Sequence, residues 1–110
     1  MHHIFPKSQY KEIAAYIENL IALTSGQHFQ LAHPNGNTKI VDKDYQYHCL
    51  VCKTESIRHN LLDGEEPQFY DFDDFMYVLD TGFQTDYFSH LYTNDFSGVL
   101  TGIDFNMAID

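Results

Sequence analysis

His2-His3-Ile4-Phe5-Pro6-Lys7-Ser8, followed by Glu18-Asn19-Leu20, Gln27-His28-Phe29 and His33-Pro34, is the stretch on which the reading of this chain turns. Two adjacent imidazoles stand at one end. An Asn follows sixteen residues after His3, and a further His nine residues after that. His2 to Phe5 suits a short extended piece, because Pro6 disfavours helix in the residue ahead of it. From Ser8 onward the pattern turns helical. Ile13, Ala14, Tyr16, Ile17, Leu20 and Ile21 recur at helical spacing, and period alone gives one helix from about Ser8 to Leu23.

This order of residue types resembles the HNH nuclease family, and in particular the HNH modules of bacterial type II restriction endonucleases. The resemblance covers residues 2 to about 34, with weaker similarity to about residue 62. It implies a ββα-metal finger at the N-terminus. The segment after Ser8 would then be helical only to about Tyr16, followed by a short strand over Asn19-Leu20-Ile21-Ala22-Leu23. The second reading is preferred here, since periodicity does not resolve short apolar runs.

The resemblance also implies the parts of the site. His3 falls at the position of the general base, and Asn19 where the family's central Asn braces the loop and orients that base. His2 and His28 match metal ligands, and His33 lies near a third ligand found in some members. The implied cofactor is a divalent ion, with Mg²⁺ expected and Mn²⁺ or Zn²⁺ as alternatives. The implied activity is hydrolysis of double-stranded DNA as part of a restriction-modification enzyme. The chemistry is coherent: a neutral imidazole takes a proton from water near pH 7. One metal ion then stabilises the phosphate charge and the leaving oxygen. His28 and His33 are five residues apart, about 140° around a helix, whereas ligands on one helical face want four; a helix ending before Pro34 relieves this. Family members carry protein ahead of the His pair. The expectation is therefore the C-terminal piece of a larger enzyme whose DNA-recognition region or partner subunit lies elsewhere. Paired scission of two strands would favour a homodimer.

Further along, Thr24-Ser25-Gly26-Gln27 reads as a capping box opening a helix from Ser25 to about Ala32 or His33. Pro34-Asn35-Gly36-Asn37 ends that helix. Asp42 is a candidate N-cap for a helix from about Lys43 to Leu62, with Tyr47, Leu50, Val51, Thr54, Ile57 and Leu61 on one face. Asp63-Gly64-Glu65-Glu66-Pro67 is an acidic break. A helix starting at Asp71 or Asp73 carries Phe72, Phe75, Met76 and Leu79 on one side and stops near Gly82. From Phe83 the signal is weak, and short helices and loops are expected. The segment Asp44-Tyr45-Gln46-Tyr47 is also similar to sequence following the HNH helix in certain restriction enzymes, with no chemistry attached to it. Lys39, Lys43 and Lys53 are candidates for phosphate contact.

The expected class is therefore α+β. A ββα-metal module spans residues 1–41, and a mainly helical, acidic region spans residues 42–110, packed together as one domain. The 110 residues suffice for a single core. Charge is lopsided. Residues 1–41 hold three Lys against two Glu, whereas residues 42–110 hold three basic residues against fourteen acids, for a net charge of −10 overall. Tight DNA binding normally leaves a basic footprint. This imbalance motivates a rival expectation, a non-catalytic acidic interaction protein that is a nuclease remnant or a DNA mimic. No signal peptide and no apolar run of eighteen residues is present, so the cytoplasm is expected and a membrane partner is not.

Cys49-Leu50-Val51-Cys52, beside His48 and His59, is a single Cys-x-x-Cys inside a helical pattern. A structural zinc site usually takes two separated pairs, so buried thiols acting as small hydrophobes are the better reading. Asp71, Asp73 and Asp74 read as a helix start, whose first turn favours negative charge.

Overall fold

The computed structural model describes residues 2–21, 43–64 and 67–108. It is mostly helical with one small antiparallel sheet, which fits the α+β class. Strand β1 (His2–His3) pairs with β2 (Leu20–Ile21), with His2 opposite Ile21 and His3 opposite Leu20. The pairing extends one residue further, as the Ile4 amide donates to the Asn19 carbonyl at 2.8 Å.

Between the strands the chain does not form the α-helix expected from Ser8 to Tyr16. It runs through tight turns and two short 3-10 segments, Lys11–Ile13 and Ile17–Asn19. From Ile13 on, its backbone bonds are i+3 rather than i+4: the Ile13, Ala14 and Tyr16 amides donate to the Tyr10, Lys11 and Ile13 carbonyls. The Ile13 carbonyl also accepts from the Asn19 side chain, and the Ala14 carbonyl from the His3 ring. Those two carbonyls would have no i+4 amide in a helix ending at Tyr16, and tertiary donors satisfy them here. The apolar residues of this stretch still bury where they matter, since Ile13 is fully enclosed. The later strand is present as Leu20–Ile21, and a continuous helix to Leu23 is excluded. The capping box at Thr24 and the helix expected from Ser25 lie outside the described residues.

Helix α1 (Lys43–Leu62) matches the expected span. Its inward stripe, Leu50, Lys53, Thr54, Ile57 and Asn60, mixes apolar and polar groups. Each polar member has a partner: Thr54 Oγ1 donates to the Leu50 carbonyl, and Lys53 Nζ donates to Tyr70 Oη at 2.6 Å. Asn60 donates to the Pro67 carbonyl and accepts from the amides of Phe69 and Tyr70. One buried amide thus fixes the path of the segment that joins α1 to α2, at no cost in unpaired groups.

Helix α2 (Phe72–Phe83) is N-capped by Asp71, whose carboxylate accepts from the Asp74 amide. Phe72, Phe75, Met76 and Leu79 are buried as the spacing predicts. The helix ends at Phe83, beside Gly82 as expected, but the left-handed residue that terminates it is Gln84, with φ 57°. Gly82 instead makes room for a ring, since a Cβ there would lie 2.4 Å from the Phe5 side chain. That ring also meets Phe83 edge-on, with centroids 5.2 Å apart. The segment carrying the His pair is seated directly on α2.

The last third is more regular than its sequence implies. After a 3-10 turn at Phe88–His90, helix α3 (Phe96–Met107) runs for twelve residues from an Asp95 cap. It packs on α1, and Tyr47 Oη donates across that junction to Asp104 Oδ1 at 2.6 Å. Two glycines in α3, Gly98 and Gly102, lower its propensity and hide it from a reading by pattern. Gly102 is needed because the rings of Tyr87 and Phe88 press on it. No helix among the described residues is long and apolar enough to cross a membrane.

Candidate active site

The strand that carries His2 and His3 gives way to bends at Ile4 and Phe5 ahead of Pro6, and Asn19 closes the loop behind it. Asn19 is fully buried. Its Oδ1 accepts from the Phe5 amide at 2.8 Å, and its Nδ2 donates to the Phe5 carbonyl at 3.1 Å and the Ile13 carbonyl at 3.3 Å. One side chain therefore saturates both backbone groups of Phe5 and holds two turns of the loop together.

His3 lies half-buried across the same loop, with Nε2 3.1 Å from the Ala14 carbonyl. A carbonyl only accepts, so Nε2 carries a proton, and in the neutral ring Nδ1 presents the lone pair. This is the tautomer a proton acceptor needs, fixed by a backbone contact on the opposite nitrogen. His2 is enclosed, at 1% exposure, and its ring faces Tyr45 of α1 with centroids 6.1 Å apart. The neighbours leave the strand toward different elements, His3 to the loop and His2 to the helix.

Glu18, next to Asn19, is buried as well. Its Oε2 accepts from the Asp71 amide at 3.0 Å, so it ties the loop to the start of α2. Burial pushes its carboxyl above the ordinary range, and the charges of Asp74 and Asp71 push the same way, against the lowering effect of its backbone hydrogen bonds. In the sequence, a lone acid in an apolar stretch is the only signal of Glu18, and it does not single the residue out. Nor does any local pattern single out Gln46, whose Nε2 donates to the Ile4 carbonyl at 2.8 Å from forty-two residues away.

Of the expected site residues, the structure brings His2, His3 and Asn19 to the same small sheet and loop. His28 and His33 lie outside the described residues, as does Lys39. Lys53 is not available for phosphate: it is buried, donates to Tyr70 Oη and lies 4.5 Å from that ring's centre. The two thiols diverge. Cys49 is buried and Cys52 exposed. Burial, with the neighbouring Cys52 charge, pushes the Cys49 thiol up to about 11, so it stays protonated at neutral pH and suits packing better than metal binding. Among the described residues, no three His, Cys, Asp or Glu side chains gather as metal ligands would.

No protein-family model matches this chain, and neither a curated protein nor a solved structure matches it.

Proposed function

We propose that the chain is a metal-dependent HNH-type endonuclease module that hydrolyses DNA phosphodiester bonds, with His3 as general base. The observation that carries this reading is the coupling of His3 and Asn19. Two side chains sixteen residues apart organise one loop, one by fixing the backbone and the other by anchoring its own ring to it. A ring held through one nitrogen, with the other left to take a proton, is the arrangement a base uses. His2 would contribute to holding the divalent ion together with His28 and, in the fuller version, His33. The bound ion would supply charge stabilisation at the phosphate and the leaving oxygen. His3 would accept the proton of the attacking water at Nδ1, and Asn19 would keep its strand in place.

The test uses the whole chain with supercoiled plasmid and Mg²⁺ or Mn²⁺. Nicking that disappears on chelation and in His3→Ala supports the proposal. Undiminished nicking by His3→Ala removes the base assignment.

A second reading, an acidic interaction module, rests on one observation. After Arg58 the chain has eleven acids and neither Lys nor Arg. Failure to nick with either metal, together with salt-sensitive binding of an Arg-rich peptide, would favour it.

A further inference from the structure

The peptide groups that follow the His pair have a full complement of partners, and one of them comes from a distant part of the chain. Ile4 and Phe5 are both buried, so their four backbone polar groups need hydrogen bonds inside the protein. Asn19 serves three: its carbonyl takes the Ile4 amide, its Oδ1 takes the Phe5 amide, and its Nδ2 reaches the Phe5 carbonyl. The fourth group, the Ile4 carbonyl, accepts from Gln46 Nε2 at 2.8 Å. Gln46 stands on the first turns of α1, between Tyr45, which faces the His2 ring, and Tyr47, which bonds to Asp104 of α3. Leu50, one turn on, is fully buried and fixes the helix beneath them.

We propose that Gln46 is a positioning residue for the histidine strand, completing from the helical region the clamp that Asn19 makes from within the loop. The proposal rests on the nuclease reading for its purpose, though not for its geometry. It gives the Tyr45-Gln46-Tyr47 segment a role: Gln46 sets where the strand lies, Tyr45 walls the His2 ring, and Tyr47 anchors the platform. Without the Gln46 donor, the Ile4 carbonyl is left short of a partner, and β1 shifts to find one. A displacement on the ångström scale at the strand is enough to spoil the reach of the His3 ring to the Ala14 carbonyl.

The test reads the His3 imidazole by nitrogen-15 NMR in the full chain. The wild type shows two well-separated ring signals, as one protonated and one bare nitrogen require. Gln46→Met, similar in length but unable to donate, draws the two signals together as the tautomers mix. Gln46→Lys, which donates to the same carbonyl, restores them. Tyr47→Phe is the control: it lowers the melting temperature by removing the bond between α1 and α3, and leaves the His3 signals where they were. Unchanged His3 signals in folded Gln46→Met overturn the proposal, and so does an equal change in Tyr47→Phe. Should Gln46→Met not fold, Gln46→Glu, which keeps the shape and loses both donors, is read in the same way; failure of both to fold makes the residue structural only and also overturns it. In plasmid nicking with Mg²⁺, Gln46→Met falls on the order of tenfold or more and Gln46→Lys recovers. A wild-type chain that never nicks removes the nuclease reading, while the ring signals still decide the role of Gln46.

Discussion

His3 Nε2 lies 3.1 Å from the carbonyl of Ala14, a contact that protonates that nitrogen and, in the neutral ring, leaves Nδ1 with the lone pair. The bond also ties the end of the loop back to the strand. One interaction thus shapes both the loop and the chemistry proposed for it.

His3→Ala removes the lone pair and also the ring's bond to the Ala14 carbonyl, so a thermal melt accompanies the assay. Plasmid nicking is expected to fall by about 10² to 10⁴-fold, while Mn²⁺ affinity measured by calorimetry stays close to wild type. His28→Ala is expected to do the reverse, weakening the metal first.

Asn19→Ala takes their partner from the Phe5 amide and the Phe5 carbonyl in a buried setting, while the Ile13 carbonyl keeps the Tyr16 amide. Unpaired buried groups cost about 1–3 kcal/mol each, so urea unfolding should show a loss of about 2 kcal/mol or more. Asn19→Asp keeps the acceptor but turns a buried carboxylate oxygen on the Phe5 and Ile13 carbonyls, and should cost at least as much as Asn19→Ala.

Glu18 links stability to pH. Its carboxyl is raised in the folded protein, chiefly by burial, so the folded state favours the protonated form. That contribution is full below the unfolded pKa and is lost as pH rises through the folded one. Between pH 5 and 7, wild type should lose more stability than Glu18→Gln, whose amide oxygen still accepts from Asp71. Asp74, also raised by burial and by the Asp71 and Asp73 charges, is present in both proteins, and its repulsion of the Glu18 carboxylate, absent from Glu18→Gln, adds to the difference. Parallel thermal melts across the range check this, and equal slopes would refute it.

Gly82→Ala places a methyl 2.4 Å from the Phe5 ring, which is itself enclosed and meets Phe83 edge-on. Overpacking of this kind costs about 1–3 kcal/mol. The melting temperature should drop. Because Phe5 follows the His pair closely in the strand and loop, nicking should drop further than stability alone explains.

A thiol reagent at pH 8 should modify Cys52 quickly and Cys49 only on unfolding, as Cys49 is buried and titrates at about 11. Two fast sites would contradict the packing of α1.

The sequence alone marked α1 and α2, because their caps and apolar spacing are local signals: Asp71 caps where it should, and Phe72, Phe75, Met76 and Leu79 face inward. It also marked His2, His3 and Asn19 as a set, through resemblance. It did not show that the Ser8–Tyr16 stretch takes i+3 turns in place of an α-helix, with its last carbonyls held by Asn19 and His3 from outside it. Nor did it show α3, where Gly98 and Gly102 weaken the pattern, Gly98 against the Asp95 and Leu91 side chains and Gly102 against the rings of Tyr87 and Phe88. Gln46 meeting Ile4, Glu18 meeting Asp71 and Lys53 meeting Tyr70 are side-chain partnerships across seventeen or more residues. Periodicity and capping report only on neighbours within a few residues, so contacts of that separation were decided by the packing of the helices on the small sheet.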